Sequence, residues 1–271
     1  MSTVLVERTG HVAHVVLNRP AKKNAVDGEM FRELREVATE IAANPAVRAV
    51  VLSGAGGTFC SGIDVAAIHQ MSSGEVTAGS VSDTGLLALS PEGATPFQQI
   101  AWAWHEMPAP VVAAVEGHAL GGGFHIALGA DLRVIAPTAK VGFVEVTWGL
   151  VPDLSGTQAL RRLVSLDVAQ RLVLTGELVS GTEAVALGLA TLSDEDPVAR
   201  ACAIADRIAA QSPDAVRAAK RLLNRSALVS VADGLAAEVS TSAALVGTPN
   251  QVEAAVARFE GRAPVFTDPR D

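Results

Sequence analysis

The sequence predicts an α/β protein in which a sheet-based core comes first along the chain and a helical section follows. Short apolar runs typical of buried strands dominate the first half, and helical periodicity dominates residues 158–260. Apolar residues make up 49% of the 271 residues, which is ample material for a large core. Strands followed by helices indicate a layered sheet with a helical appendage. We therefore assign residues 1–200 to the core and residues 201–271 to a C-terminal helical region.

The N-terminal elements follow from their apolar pattern and from the residues between them. Residues 4–8 and 14–18 predict a hairpin with Gly10 at its turn. Proline and asparagine indicate a loop at residues 19–26. Asp27 is suited to be the N-cap of a helix that runs to residue 43. The apolar residues on one face of that helix are Phe31, Leu34, Val37, Ala38 and Ile41.

The centre of the chain alternates apolar runs with loops of small residues. Residues 47–52 and 111–115 predict buried strands. Between them, residues 68–96 are rich in serine, glycine and threonine, which predicts a long mobile loop that shapes the ligand pocket. A helix at residues 98–106 is ended by the prolines that follow it.

The second half contains two more strands and then mostly helices. Strands are predicted at residues 131–136 and 140–142, and helices at 164–174, 181–187, 198–211, 214–224 and, in pieces, 235–260. The stretch at residues 143–157 is apolar except for the isolated carboxylates Glu145 and Asp153. A bare sequence leaves open whether these two carboxylates are catalytic or serve as a helix cap and a solvated side chain.

Charge and composition exclude several classes of protein. The net charge is −8 and no basic stripe occurs, so a nucleic-acid partner is not expected. No apolar run approaches the ~18 residues of a membrane span, and no signal-like segment opens the chain, so we expect a cytoplasmic protein without a membrane partner. Cys60 and Cys202 are far apart, which predicts free thiols. His118 and His125 lack a third ligand, so no metal site is expected.

Two loops of small residues are suited to stabilise an anion. Gly121, Gly122 and Gly123 separate a strand from a helix, and the N–H groups that open a helix carry the positive end of its dipole. Residues 54–64 form a second such loop after another strand. Each loop is able to direct one backbone N–H toward a shared oxygen, and close helix–strand packing is the alternative interpretation.

Residues 59–64, 117–123 and 149–158 together resemble the crotonase superfamily, the enoyl-CoA hydratases and isomerases. The likeness extends to the loop at residues 19–25 and to residues 219–223. It implies a spiral of ββα units and a C-terminal helical region that forms a homotrimer or a dimer of trimers. It also implies an acyl-CoA thioester substrate, with no cofactor besides the coenzyme A that the substrate carries.

The resemblance assigns two groups of binding residues. It places the oxyanion hole at the backbone N–H groups of Ile63 and Gly122, where two donors stabilise the negative charge on a thioester oxygen. Phe259 and Arg262 match positions that approach a neighbouring subunit's CoA. The residues assigned to CoA are Lys22, Lys23, Ala25, Cys60, Ser61, Gly62, Phe259 and Arg262. On composition alone, a solvated loop is the favoured interpretation of the two lysines.

The proton-transfer residues depart from the hydratase pattern. Glu145 matches the second glutamate of the hydratases, but the first glutamate is replaced by His125, whose role is either chemical or one of packing. Asp153 matches the aspartate of the dienoyl-CoA isomerases. Two carboxyl groups with different pKa values suit double-bond isomerisation of an enoyl- or dienoyl-CoA. Hydration of a 2-enoyl-CoA and non-catalytic acyl-CoA binding are the alternatives.

Overall fold

The computed structural model describes residues 2–66, 69 and 89–269, and most of the predicted loop at residues 68–96 lies outside them. The strands are β1 (Val4–Thr9), β2 (Val12–Leu17), β3 (Ala49–Gly54), β4 (Val111–Val115), β5 (His118–Leu120), β6 (Leu132–Ile135), β7 (Lys140–Gly142), β8 (Val179–Ser180) and β9 (Leu192–Ser193). The helices are α1 (Gly28–Ala42), α2 (Gln99–Glu106), α3 (Gly122–Gly129), α4 (Gly156–Leu163), α5 (Leu166–Thr175), α6 (Gly181–Leu187), α7 (Pro197–Ala209), α8 (Pro213–Ser226), α9 (Val231–Leu245) and α10 (Pro249–Glu260).

Two sheets share the strands of the core. The larger sheet has the order β1-β2-β3-β4-β6-β9, and only its β1–β2 pair is antiparallel. The smaller sheet has the order β5-β7-β8. A parallel bridge joins Cys60 to Ala119 of β5, so the segment after β3 lies against this smaller sheet as well. The chain thus passes from the larger to the smaller sheet three times, after β3, β4 and β6, which is the predicted spiral of ββα units.

Helices cover both faces of the larger sheet. The strand β4 is buried along its whole length, as expected for a parallel strand between two helical layers. On one face, α7 presents the small side chains of Ala201, Ala205 and Ala209, which pack against strand residues such as Val51 and Val112. Alanines at a four-residue spacing lie on one helix face and permit close approach to the sheet. The division of the chain at residue 200 stays a prediction.

Most elements agree with the sequence predictions to within a few residues. The Asp27 carboxylate accepts a hydrogen bond from the Met30 N–H at 2.9 Å, which confirms the N-cap of α1. Gly10 has a positive φ of 56° at the predicted turn. The first helix of the second half was predicted to begin at residue 164. This was wrong, because α4 already starts at Gly156. The short strands β5, β8 and β9 were missed, since two or three residues carry too little periodicity to detect.

A buried ion pair attaches the C-terminal helices to the core. The Lys220 Nζ atom of α8 lies 2.7 Å from the Asp131 carboxylate, which also accepts from the Val111 N–H that begins β4. Nζ is within 3.2 Å of the Ala109 carbonyl as well. Burial lowers the pKa of Lys220 and raises that of Asp131, and the attraction between them opposes both shifts. Asp131 thus has a structural role, since it joins α8 to the start of β4.

Candidate active site

The glycine triplet lies where β5 ends and α3 begins. Gly121 has a positive φ of 48°, and α3 starts at Gly122. A Cβ on Gly123 would lie 2.4 Å from the Cys60 carbonyl oxygen, and one on Gly122 would lie 2.9 Å from a Leu154 methyl group. Close packing therefore requires these glycines. The N–H of Gly122 has no acceptor within the helix, since the first N–H groups of a helix have none.

The Ile63 segment lies directly beside this helix start. In the parallel bridge between Val26 and Ile63, the bonds are formed by the Gly62 carbonyl at 2.8 Å and the Asp64 N–H at 2.9 Å. The bridge therefore leaves the N–H of Ile63 itself directed away from Val26. The Ile63 side chain reaches within 3.4 Å of the Cβ position of Gly122. The structure thus brings together the two backbone segments that the resemblance assigned to the oxyanion hole.

Next to the glycine triplet, an imidazole contacts a carboxylate. The side chain of His125 in α3 is buried, and its Nε2 atom lies 3.1 Å from Glu145 Oε1. The ring N–H is not aligned with this oxygen, so the contact is a close electrostatic one. The second oxygen, Glu145 Oε2, is buried and has no hydrogen-bond partner among the residues that the structure describes. Buried acceptors normally have a hydrogen-bond partner. An unpaired oxygen on Glu145 is explained if this carboxylate acts as a base that faces a substrate.

Asp153 lies in the turn before α4, within electrostatic range of this pair. Burial raises the pKa of the Asp153 carboxyl, Glu145 adds to the rise, and His125 opposes it. The residue as a whole is exposed, yet the surrounding protein removes enough water from the carboxyl to raise its pKa. The structure therefore gathers His125, Glu145 and Asp153, three residues that the sequence singled out.

The loop assigned to CoA is held by a network beneath it. Arg19 forms ion pairs with Asp27 at 2.9 Å and with Asp64 at 3.1 Å, and it also donates to the Ala25 carbonyl. The fully buried Asn24 amide donates to the Thr58 carbonyl at 2.6 Å. Neither Arg19 nor Asn24 was assigned a role from the sequence. An asparagine inside a loop is a feature that could have indicated the role of Asn24, because its φ of 54° is positive and asparagine adopts positive φ more readily than most residues.

The predicted CoA residues occupy different environments on this loop. The side chains of Lys22 and Lys23 are exposed, whereas Ala25 is buried. The N–H of Ser61, next to Gly62, donates to the Lys23 carbonyl at 3.0 Å.

Cys60 lies underneath the same loop. Its thiol is 3.0 Å from the Asn24 carbonyl, and burial raises the pKa of this thiol to about 12. Cys60 therefore supports the loop as a neutral thiol. Cys60 and Cys202 are both free, as predicted.

The two C-terminal residues assigned to CoA lie at the end of α10. The side chain of Phe259 is 91% exposed, so it is accessible to a partner. Arg262 is held by ion pairs with Glu253 at 2.6 Å and Glu260 at 2.7 Å. These contacts fix the guanidinium group at the surface.

The part of the chain that the structure describes contains neither a cluster of metal ligands nor a helix suited to cross a membrane. Among residues 2–66, 69 and 89–269, no three histidine, cysteine, aspartate or glutamate side chains are grouped closely enough to hold a metal ion. Within the same ranges, every helix is too short or too polar to cross a membrane.

Comparisons with known proteins agree with the fold. The family model for enoyl-CoA hydratase/isomerase matches residues 7–269. The human protein "Enoyl-CoA hydratase domain-containing protein 2, mitochondrial" is 37% identical over 262 residues, covering 94% of this chain and 85% of that protein. The "Short-chain-enoyl-CoA hydratase" of Clostridium acetobutylicum is 32% identical, covering 97% of this chain and 96% of that protein. The crystal structure of enoyl-CoA hydratase from Bacillus anthracis matches with a TM-score of 0.87 at 29% identity, covering 98% of this chain and 100% of that chain. The chain therefore belongs to the enoyl-CoA hydratase/isomerase family of the crotonase superfamily.

Proposed function

We propose that the protein moves a double bond along the acyl chain of an enoyl- or dienoyl-CoA by proton transfer. The observation that carries this proposal is the pairing of Glu145 with a second carboxyl, Asp153, whose pKa is raised by burial and by Glu145 itself. The group in contact with Glu145 is an imidazole and not a carboxylate. That arrangement differs from the glutamate pair that holds a water molecule in the hydratases of the family.

The reaction begins with the thioester carbonyl in the oxyanion hole. Removal of a proton from a carbon conjugated with the thioester puts negative charge on its oxygen. The N–H groups of Ile63 and Gly122 would receive that oxygen, and a donor of this kind contributes on the order of 2.7–4 kcal/mol of transition-state stabilisation. Main-chain donors also explain why the side chain of Ile63 needs no polar group.

Proton transfer then uses the two carboxyl groups in different protonation states. Glu145, as a carboxylate, takes the proton from carbon and leaves a dienolate. Asp153, whose pKa is raised by burial, in its protonated form returns a proton at the other end of the conjugated system. The substrate gains and loses one proton, so its composition is unchanged. The proton left on Glu145 returns to Asp153 through solvent before the next turnover.

Hydration of a 2-enoyl-CoA is a second candidate, and the names of the relatives favour it. The proteins from Clostridium acetobutylicum and Bacillus anthracis both carry the name enoyl-CoA hydratase. In this reaction, Glu145 would activate water for attack on the β carbon and His125 would orient it. Neither candidate requires a cofactor besides the CoA of the substrate.

Oxygen-18 water separates the two reactions. We expect 2-enoyl-, 3-enoyl- and 3,5-dienoyl-CoA to be isomerised without uptake of labelled oxygen, and Glu145→Gln and Asp153→Asn each to lower the rate strongly. Chromatography separates the double-bond isomers, which have the mass of the substrate, and mass spectrometry detects labelled oxygen in the products. Labelled 3-hydroxyacyl-CoA as the main product, formed by Asp153→Asn at the wild-type rate, would establish the hydratase and reject the isomerase. Binding of every thioester without turnover would leave a non-catalytic acyl-CoA-binding protein.

We also propose that the protein is a homotrimer or a dimer of trimers. Three apolar side chains follow one another at four-residue spacing along α9: Val231 is 80% exposed, Leu235 58% and Val239 72%. Such a stripe lies on one helix face, and an exposed apolar face of this kind marks an interaction site. Phe259 on α10 would then lie near the CoA of a neighbouring subunit.

A further inference from the structure

Gly156 is the first residue of α4, and its own backbone does not require a glycine. Its φ lies outside the left-handed region, in contrast to the preceding Ser155, whose φ is +69°. Any residue could adopt this backbone. The reason for glycine at this position must therefore lie in what a side chain would meet.

A side chain at position 156 would collide with the imidazole of His125. A Cβ atom built on Gly156 lies 2.7 Å from His125 Nε2, 2.8 Å from His125 Cε1 and 2.9 Å from the ring of Phe143. All three contacts are far inside the normal packing distance between heavy atoms, which is about 3.5–4.0 Å. The imidazole is buried and lies beside Phe143, with 5.3 Å between the ring centres, so a side chain at position 156 would have to displace one ring or the other.

The imidazole in turn limits where the Glu145 carboxylate is able to lie. Glu145 Oε1 is 3.1 Å from His125 Nε2, and it is also 3.1 Å from the place that a Cβ on Gly121 would occupy. One oxygen of the carboxylate thus lies against the ring and beside the glycine turn. The other oxygen, Oε2, is the one without a hydrogen-bond partner among the described residues.

We propose that Gly156 is a positioning residue that keeps the His125 imidazole against Glu145 and thereby orients Oε2 for proton transfer. The inference rests on the proposed function of Glu145 as the base. Gly156 touches neither substrate nor reacting atoms, and it acts through the packing of the His125 imidazole, with Phe143 as the other side chain that a Cβ there would meet. A residue of this kind changes the rate of the chemical step more than the binding of the thioester.

The test is a double-mutant cycle between positions 156 and 125. Gly156→Ala should lower kcat by about tenfold or more with little change in KM, because a misplaced base affects the transition state and not thioester binding. In a His125→Ala background the imidazole is gone and the neighbouring Phe143 ring has the vacated space to move into, so Gly156→Ala should cause no further loss. Gly234→Ala in α9 is the matched control and should keep full activity, since its Cβ would meet its nearest neighbour only at 3.9 Å.

Several results would overturn the inference. A wild-type kcat in Gly156→Ala would do so, as would an equal fold-loss in both backgrounds, since Gly156 would then act independently of His125. If Gly156→Ala alone fails to fold, the inference requires that the double variant folds and has the kcat of His125→Ala. A double variant that also fails to fold would reject the inference. A wild-type protein that turns over no enoyl thioester would contradict the proposed function instead. In that case the unfolding midpoints of the wild type, the two single variants and the double variant would still show whether positions 125 and 156 are coupled.

Discussion

At the scale of single residues, the oxyanion hole gives the most direct prediction. Gly122→Pro removes one N–H donor, and proline is compatible with the first position of a helix. Gly122→Ala adds the same Cβ, which would lie 2.9 Å from Leu154, but keeps the donor. We expect the proline variant to lose about 10²–10³ in kcat relative to the alanine variant. Steady-state kinetics on one thioester provides the measurement, and equal activity of the two variants would reject the role of this N–H.

The raised pKa of Asp153 predicts an effect on stability as well as on catalysis. A carboxyl whose pKa is higher in the folded state favours folding when protonated, and it opposes folding at a pH above both its folded and unfolded pKa values. Asp153→Asn should therefore raise the unfolding midpoint at pH 7. The gain should diminish as the pH falls through the raised folded value and vanish below the unfolded value, near 3.9. Thermal unfolding of both proteins across this range provides the measurement, and a gain that grows toward acid pH would contradict the assignment.

The sequence predicted which residues form the candidate site but not the role or the packing of each one. The pattern placed His125, Glu145 and Asp153 together because they match positions in a family motif. It could not decide whether His125 packs or reacts, and the structure shows a ring that is both buried and 3.1 Å from a carboxylate. The sequence also did not predict which side chains pack against each other. Nothing in the local pattern around Gly156 indicates that its partner is a side chain 31 residues earlier in the chain.

At the scale of elements, the ion pair between α8 and the start of β4 predicts how the C-terminal helices depend on the core. Lys220→Met leaves the Asp131 carboxylate buried without its cation, which should lower the free energy of unfolding by about 3–5 kcal/mol. Adding Asp131→Asn should recover part of this loss, because no uncompensated charge remains. Lys140→Met on the surface is the control and should stay within about 0.5 kcal/mol. Urea denaturation measures all four proteins, and a Lys220→Met protein as stable as the control would contradict the prediction.

Elements with strong periodicity were predicted well, and of the strands with two or three residues only β7 was predicted. The strand β4 and the helix α6 were predicted with the bounds that the structure has. The strands β8 and β9 contain two residues each, and only their pairing with β7 and β6 makes them strands. Such pairing joins residues far apart along the chain, so local pattern does not reveal it.

At the scale of the whole molecule, the apolar stripe on α9 predicts assembly. The protein should sediment as a trimer or hexamer at micromolar concentration. Val239→Asp, in which the side chain replaced is 72% exposed, should shift it toward the monomer because it puts a charge into the apolar stripe. Ser240→Asp, one residue along the same helix and off the stripe, should leave assembly intact. A wild-type monomer, or equal behaviour of the two variants, would remove the basis for this proposal.

The smaller sheet has a consequence for how this chemistry is able to diversify. Its neighbouring parallel segments, at Cys60, β5 and β7, run side by side, and just past their carboxyl ends come Ile63, Gly122 and Glu145. Each turn of the spiral thus delivers one group to the same edge, and neighbouring strands of a sheet lie about 4.8 Å apart. A substitution at one of these positions exchanges a single part and leaves the strands that carry the others in place. A different side chain at position 145 would change the proposed base and keep the backbone N–H groups of Ile63 and Gly122, so the scaffold separates the geometry of the site from the choice of its acids and bases.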